Sequence, residues 1–439
     1  MTVSSDLLCG MLLGAHKALI HDELREDVVV EIGDDGRIVA VGTRAELGSP
    51  DRILKGTLLP GLVDAHSSVV GYLFGLAPFA RHRPSVVQKQ HCDRVAMRLD
   101  PDILHAVARH AFVQMIEAGI ATVGELHTIH HRPDGSPYDI PTALVDAVLL
   151  AAREVGIRLC LLRGVSLRGD RGGRLTALER RCCEPGVDTV CERFGFTLHR
   201  INAYRDPRLS AGLAIPEMAS VPLEAVVAFK TRLAHLPLHM GASEYLEDVP
   251  TRVALYGAGP VEFLVRAGVV DGCTTLVGVQ NLRAGESELV GQVGGTVCSC
   301  PPAFDQPVGT VREIEAAGAR VCVGSNGRGS SSVLESARML GRQLSPSHDL
   351  SWLARATAIG AQALGLRTGR IAPGHWADLV SIDLDEVEAA ELLASDEPLR
   401  VCDVIVGGKL VMEDGEHPLA TRAASVFEGV RRTLLPTSW

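Results

Sequence analysis

The chain has 439 residues, a net charge of −10 and a hydrophobic fraction of 46%. The negative charge and the aromatic content of only 4% argue against nucleic acid as a partner, because nucleic acids are bound by basic and base-stacking surfaces. No apolar run is long enough to span a membrane, and the N-terminus lacks the basic region of a signal peptide. We therefore expect a cytoplasmic protein without a membrane partner, whose 11 cysteines are buried or reduced thiols.

Short candidate strands occur near both ends of the chain. They are residues 28–33, 37–41, 378–383 and 401–411. The first two flank the turn Gly-Asp-Asp-Gly at 33–36, which is typical of a β-hairpin. Because such short segments cannot bury an apolar face alone, we expect residues 1–56 and 368–439 to pair into one small β-sandwich domain.

Between the two ends, strand patterns alternate with helix patterns. Eight candidate strands are visible: the one that ends at His66, and residues 121–126, 158–162, 210–215, 236–240, 275–279, 295–299 and 320–324. A helix over residues 102–117 is predicted to end at Ala118-Gly119. Alternation of this kind predicts parallel strands with right-handed crossovers. We therefore expect residues 57–367 to form an α/β domain, a (β/α)8 TIM-type barrel with its chemistry at the C-terminal strand ends.

The stretch TLLPGLVDAHSS at residues 57–68 is an apolar run that ends in polar side chains. It predicts a buried strand on which residues 66 and 68 point the same way. Two histidines there would form a chelating pair, but the chain has His66 and Ser68. The stretch resembles the first barrel strand of the amidohydrolase superfamily, whose pattern is Pro-Gly-hydrophobic-hydrophobic-Asp-x-His-x-His.

The resemblance extends over nearly the full chain and is closest to formimidoylglutamate deiminase and its relatives. GELHTIHHRPDGSPY at 124–138, RLDP at 98–101 and the Arg180-Arg181 pair are similar to stretches of that group. The run GRIAPGHWADLV at 369–380 is general to the superfamily. The resemblance implies the same barrel and β-sandwich, a homodimer, and a reaction in which a divalent metal activates water and a carboxylate moves the proton.

The site that the resemblance implies is incomplete. The residues that stand where metal ligands, the general base and further histidines are expected are Ser68, Ala242, Gly278, Asn281 and Asn326. His66 and His239 remain. Two imidazoles and an amide oxygen make a poor zinc site, because zinc usually has at least three firm protein ligands. We therefore expect no catalytic metal and no other cofactor; zinc held by His66, His239 and Asn326 is the alternative.

A second group of titratable side chains follows the second barrel strand. Its members are Glu125, His127, His130 and His131. One interpretation is a loop inherited from a deiminase ancestor, where it shapes substrate binding. The other is that His127 or Glu125 joins His66 and His239 as a new metal ligand. The candidate catalytic residues are therefore His66, His239 and the three loop histidines, with Glu125 as a substrate-binding candidate.

Four cations are candidates for binding an anionic group of a substrate. They are Lys89, Arg180, Arg181 and Arg328. Lys89 aligns with a carboxylate-clamping arginine of the deiminases and keeps its charge without the bidentate fork. Arg180 and Arg181 are equally consistent with a solvated helix face. Because the mouth has lost carboxylates and kept or gained cations, we expect a small anionic, nitrogen-containing partner, which Asn326 would also contact.

Three functions follow from these residues. The first is a divergent amidohydrolase-fold enzyme that acts, without the usual metal, on a small amidine-type or amide-type substrate. The second is a catalytically inactive barrel that binds a ligand or a partner protein. The third is a metal-dependent deiminase or hydrolase with substitute ligands. We favour the first, because an inactive pocket has no need of all five histidines together.

Overall fold

The computed structural model describes residues 8, 10–75, 90, 93–169, 174–242, 253–254, 257–301, 308–327, 333–344, 350–384 and 399–434. Two sheets organise these residues, one of seven strands and one of eight. Two of the four candidate cations, Lys89 and Arg328, lie outside the described residues.

Strands and helices alternate over most of the chain. The strands are β1 (Leu12–Ile20), β2 (Glu23–Ile32), β3 (Ile38–Thr43), β4 (Arg52–Pro60), β5 (Leu62–Ser67), β6 (Ile120–His127), β7 (Arg158–Gly164), β8 (Leu209–Ile215), β9 (Leu238–Gly241), β10 (Thr274–Val277), β11 (Thr296–Ser299), β12 (Arg320–Val323), β13 (Leu379–Ile382), β14 (Val401–Val406) and β15 (Lys409–Met412). The helices in the described ranges are α1 (Arg44–Leu47), α2 (Val69–Gly75), α3 (Pro101–Glu117), α4 (Ala143–Val155), α5 (Ala177–Cys182), α6 (Val187–Tyr204), α7 (Leu223–Arg232), α8 (Pro260–Arg266), α9 (Glu286–Gln292), α10 (Val308–Ala316), α11 (Val333–Leu344), α12 (Ala358–Ala363) and α13 (Ala420–Leu434).

The seven-stranded sheet joins the two ends of the chain. Its order is β15-β14-β13-β4-β1-β2-β3, and β4 pairs antiparallel with β13 so that Pro60 lies opposite Leu379. Strands β2 and β3 form the predicted hairpin. The sheet curls around its own apolar core, since the N–H of Ile38 in β3 donates to the carbonyl of His375, close before β13, at 2.8 Å. The prediction of one β-domain built from both chain ends is confirmed.

Strands β5 to β12 form one parallel sheet in sequence order, and all eight predicted barrel strands are present. The predicted helix is also present as α3, where the side chain of Asp100 accepts the N–H of Ile103 and Ala118 is the C-cap. The helices cover the outer face of the sheet, which agrees with the predicted (β/α)8 barrel. Residues 57–60 belong to β4, and the domain boundary between residues 56 and 57 stays a prediction.

A buried ion pair ties the β-domain to the N-terminal end of the barrel. Arg158, the first residue of β7, donates from Nε to Asp378 Oδ2 at 2.6 Å and from Nη2 to Oδ1 at 2.9 Å. Thr368 Oγ1 and the N–H of Gly407 also donate to Asp378. This end of the barrel is therefore closed by the β-domain, and the opposite end holds the mouth. In the part of the chain described, no helix is long and apolar enough to cross a membrane.

Candidate active site

A cavity of about 90 Å³ lies at the C-terminal ends of the barrel strands. The polar side chains and backbone that line it include His66, Glu217, His239, Gly278 and Asn326. These residues come from or directly follow β5, β8, β9, β10 and β12. The structure thus brings together His66, His239 and Asn326, which are three of the predicted site residues.

His66 and His239 form a hydrogen-bonded pair on the cavity wall. Their Nδ1 atoms are 3.2 Å apart, and the two rings are nearly parallel, with an interplanar angle of 12°. Nε2 of His239 lies 3.2 Å from the carbonyl of Ala363 and can only donate to it. In the neutral pair, Nδ1 of His239 therefore accepts the proton of His66 Nδ1, and Nε2 of His66 carries the free lone pair.

Burial keeps both imidazoles of this pair neutral. Burial, followed by the neighbouring His239, lowers the pKa of His66 to about 3. Burial likewise lowers the pKa of His239 to about 4, against the effect of its bond to Ala363. At neutral pH the pair thus has no charge and one unprotonated nitrogen on His66.

Ser68 caps a helix at the position where a second histidine was expected. Strand β5 ends at Ser67, so the alternation that would place residue 68 beside His66 does not extend that far. The Ser68 hydroxyl accepts the N–H of Gly71 at 3.1 Å, and its carbonyl accepts the N–H of Tyr72 at 2.8 Å. Both bonds satisfy the first turn of α2.

The other replaced positions have backbone roles that suit their small or amide side chains. Asn326 has a left-handed backbone with φ of +48°, which asparagine tolerates well, and its N–H donates to the carbonyl of His66 at 2.8 Å. Gly278 has φ of +69°. Ala242 is buried, and its N–H donates to the carbonyl of Val277 at 3.0 Å. No carboxylate stands at position 242 to move a proton.

The three loop histidines lie in a second buried group and are not among the described residues that line the cavity. On β6, Leu126 lines the cavity, so the next residue, His127, faces the other side of the strand. His127 pairs in register with Arg163 of β7. Burial, followed by the charge of Arg163, lowers the pKa of His127 to about 3.

A buried carboxylate organises this second group. Glu184 accepts Nη2 of Arg163 at 2.7 Å and Nη1 of Arg193. Arg193 also donates to Nε2 of His131 at 3.1 Å, while His130 Nε2 donates to the carbonyl of Gly164 at 2.8 Å. Although burial alone would raise it, the close contact with His131 and the two guanidinium charges lower the pKa of Glu184. The group is therefore a buried ion-pair network on the side of β6 that faces away from the cavity.

Glu125 lies on the same side of β6 as His127 and is also buried. Its Oε1 accepts the N–H of Val69 at 2.6 Å, and its Oε2 has no hydrogen-bond partner. Burial, together with the nearby carboxylate of Asp64 and against the hydrogen bond from Val69, raises the pKa of Glu125 to about 8. Glu125 is therefore mostly protonated at neutral pH.

The two arginines of α5 differ in environment. Arg180 is exposed and donates to the carbonyl of Leu175, as a solvated helix face would predict. Arg181 is fully buried and donates to the carbonyls of Ala96, Leu99 and His131. Its bonds hold the backbone around the loop histidines, and a substrate-binding role for either arginine stays a prediction.

Two residues near the cavity escaped the sequence analysis. Asp64 is fully buried and hydrogen-bonds Ser325, although it stands inside the quoted first-strand motif. Glu217 lines the cavity, and its only signal in the sequence was its place shortly after the barrel strand predicted at 210–215. A polar residue that follows a barrel strand is the feature that would have identified it.

A nearly closed barrel with histidines and an amide at its C-terminal mouth defines the class of (β/α)8 barrel proteins with a site at the strand ends. A family model described as the amidohydrolase family matches residues 57–411. That match spans most of the sequence, so the chain belongs to the amidohydrolase family.

Individual relatives agree with this assignment. Formimidoylglutamate deiminase of Pseudomonas aeruginosa is 28% identical, over 96% of this chain and 99% of the relative. The 5-methylthioadenosine/S-adenosylhomocysteine deaminase 2 of Archaeoglobus fulgidus is 29% identical, over 89% of this chain and 91% of the relative. The fold is similar to the crystal structure of an amidohydrolase from Brucella melitensis, with a TM-score of 0.85, 24% identity, and 97% and 99% of the two chains covered.

Another similar structure is an adenosine deaminase from Xanthomonas campestris with bound zinc, with a TM-score of 0.78, 22% identity, and 97% and 98% of the two chains covered. The described residues of the present chain do not fit such an ion. They contain no group of three or more His, Cys, Asp or Glu side chains that could hold a metal. His66 and His239 instead direct Nδ1 at each other, and the absence of a bound metal stays a prediction.

Proposed function

We propose that this protein is a divergent amidohydrolase-fold enzyme that acts on a C–N bond of a small anionic, nitrogen-containing substrate without a catalytic metal. The observation that carries the proposal is the hydrogen bond between Nδ1 of His66 and Nδ1 of His239 in the cavity. The names of the two curated relatives, a formimidoylglutamate deiminase and a methylthioadenosine deaminase, both denote removal of nitrogen from carbon. We transfer only that reaction class to this chain.

The pair supplies an oriented proton acceptor. The carbonyl of Ala363 fixes the tautomer of His239, and His239 in turn fixes the tautomer of His66. An acceptor held in one orientation by a second group is the arrangement that general acid–base catalysis requires. In this proposal His66 takes a proton at Nε2 from water or substrate, and the resulting imidazolium is stabilised through Nδ1–H by His239.

An anionic substrate would make this acceptor stronger. On its own His66 is a weak base, because burial lowers its pKa to about 3. A carboxylate placed nearby favours the charged imidazolium and raises the pKa towards the neutral range, where proton transfer is most efficient. The proposal therefore couples binding of the anion to proton uptake by the enzyme.

Ammonia release from a panel of small amidines, formimidoyl amino acids and amides tests this function. The protein is assayed with a chelator and without added metal, beside the variants His239→Gln and His417→Gln. His417 is a buried histidine that bonds the carbonyl of Val155, far along the chain from the mouth, and serves as the matched control. We expect chelator-resistant turnover that falls at least about 100-fold in His239→Gln only. Turnover that the chelator abolishes would contradict the proposal.

A second candidate is a barrel that binds the same class of ligand without turnover. The observation in its favour is that Ala242 stands where a proton-shuttling glutamate is expected, with its backbone held by Val277. This candidate predicts that a panel compound raises the melting temperature while no ammonia is released. The third candidate, a metal-dependent hydrolase with substitute ligands, predicts activity that zinc restores after chelation. A homodimer in the cytoplasm stays part of the proposal.

A further inference from the structure

The barrel has a seam between its first and last strands. Strands β5 and β12 are the two ends of the order in which the eight strands are hydrogen-bonded. At the mouth, the N–H of Asn326, three residues after β12, donates to the carbonyl of His66 in β5 at 2.8 Å. Bonds of this kind set how the two cavity residues stand relative to each other.

Asp64 crosses the seam beside this bond. Its Oδ1 accepts the N–H of Ser325 at 3.1 Å and the N–H of His66 at 3.2 Å, and its Oδ2 accepts the hydroxyl of Ser325 at 2.6 Å. The same hydroxyl accepts the N–H of Gly327 at 3.1 Å. One fully buried carboxyl group therefore holds the backbone of Ser325 and of His66 directly, and the backbone of Gly327 through the Ser325 hydroxyl.

The turn at Asn326 and Gly327, which Asp64 and Ser325 hold, has little space for another backbone conformation. Asn326 and Gly327 both have positive φ, at +48° and +67°. A Cβ atom on Gly327 would lie 2.0 Å from the carbonyl of Ser68, and one on Gly71 would lie 2.7 Å from the carbonyl of Asn326. The turn is thus packed directly against the start of α2, and its conformation needs the hydrogen bonds that Asp64 and Ser325 supply.

We infer that Asp64 is a positioning residue of the mouth: acting with Ser325, it fixes where His66 and Asn326 stand relative to His239. A catalytic role for this positioning rests on the proposed function. The positioning itself concerns only the geometry of the hydrogen bond between His66 and His239. Asp64 is not among the described residues that line the cavity, and it acts through the backbone of His66 and through Ser325. A carboxyl group that only stabilised the fold would leave the bond between His66 and His239 unchanged when replaced.

The test follows the imidazole protons of the full-length chain by NMR after ¹⁵N-histidine labelling. The wild type should give a downfield Nδ1–H signal for His66 that is lost in both His66→Gln and His239→Gln. In Asp64→Asn and in Ser325→Ala this signal should move or disappear. Asp403→Asn is the matched control, because Asp403 is a buried carboxyl group that bonds Ser381 in the β-domain; it should leave the signal in place.

Melting temperatures are measured on the same samples. Asp64→Asn and Asp403→Asn should both lower the melting temperature, and only Asp64→Asn should change the His66 signal. An unchanged signal in Asp64→Asn, with a lowered melting temperature, would show a structural role only and overturn the inference. If Asp64→Asn does not fold, Ser325→Ala decides the matter, since it removes only the hydroxyl bonds. A wild type without the signal would contradict the histidine pair itself, and hence the proposed function as well.

Discussion

Strand β7 carries a buried arginine near each end, and the two arginines are held in different ways. Arg158, at the N-terminal end, directs three nitrogens at partners: two at Asp378 and one at the carbonyl of Pro207. Arg163, near the C-terminal end, donates one bond to Glu184, and its Nε atom has no partner. Strand β7 therefore has a fully hydrogen-bonded guanidinium group at its N-terminal end and an incompletely hydrogen-bonded one near its C-terminal end.

Residues near Arg163 also have buried polar atoms without hydrogen-bond partners. Buried atoms without a hydrogen-bond partner in this region are Glu125 Oε2, His127 Nε2, His130 Nδ1 and His131 Nδ1. Each such group costs about 1–3 kcal/mol unless water or a ligand completes it. The comparison indicates that the N-terminal end of the barrel is built for stability and that the C-terminal end gives up stability around the site, as in other barrels.

Replacing the two arginines in turn tests this comparison most strongly. Arg158→Met leaves the buried carboxylate of Asp378 without its cation and should lower the free energy of unfolding by about 3–5 kcal/mol. Arg163→Met should cost about 1–2 kcal/mol, because Glu184 keeps Arg193 as a partner. Urea unfolding at pH 7 measures both values. Equal losses would show that the two ends are built alike.

Acid should weaken the folded state through His239. The pKa of His239 is about 4 in the folded protein and about 6.5 in the unfolded chain. Below pH 6.5 the unfolded chain therefore binds more protons, and stability falls as the pH is lowered. From pH 7 to pH 5 this residue should account for a loss of about 2 kcal/mol.

The variant His239→Gln tests whether this histidine lowers the unfolding free energy as the pH falls. Its unfolding free energy should fall less between pH 7 and pH 5 than that of the wild type, by the same ~2 kcal/mol. His235 is exposed and provides the control. The variant His235→Gln should keep the wild-type dependence of the unfolding free energy on pH. A steeper slope in His239→Gln would mean that the folded protein holds this imidazole protonated.

Glu125 and Glu184 should respond to pH in opposite ways. Because the folded pKa of Glu125 is about 8, this group destabilises the fold progressively as the pH rises from about 4.5 to 8. The stability advantage of Glu125→Gln over the wild type should grow by about 4 kcal/mol between pH 5 and pH 8.5. Glu184→Gln should destabilise at pH 7, because it removes the carboxylate that Arg163 and Arg193 share. The midpoint of urea unfolding across pH reports both.

The smallest effect is expected at Ser68. Ser68→Ala removes the hydroxyl that caps α2 and should cost about 1 kcal/mol. Ser68→His should not create a zinc site, since residue 68 directly precedes α2 and lies beyond β5. Zinc uptake by Ser68→His, measured by elemental mass spectrometry, would show that the side chain reaches the cavity.

Local patterns predicted the fold almost completely. All eight barrel strands, helix α3 and the hairpin of β2 and β3 follow from alternation, apolar periodicity and turn residues. Strand β1 was not predicted, because LLGAHKALI lacks a clear period of two and is fixed by pairing with β2 on one side and β4 on the other. A strand of that kind is defined by its neighbours more than by its own sequence.

The site was less predictable because its key contacts join distant residues. His66 and His239 are 173 positions apart, and Asp64 and Ser325 are 261 apart. The sequence marked His66 and His239 through their motif, but nothing in it shows that their Nδ1 atoms meet. Likewise β5 ends at Ser67, and Ser68 caps the next helix. The expectation that residues 66 and 68 point the same way assumed a strand that continued through residue 68, so it does not apply to the folded chain.

The most direct test of the account is the metal content of the full-length protein, purified without added metal and measured by elemental mass spectrometry. Because His66 and His239 bond each other and the described residues contain no group of three or more His, Cys, Asp or Glu side chains that could hold a metal, we predict well below one equivalent of zinc, iron or manganese, unchanged in His239→Gln. About one equivalent of any of these metals, lost in His239→Gln, would contradict the account and return the protein to the metal-dependent hydrolases.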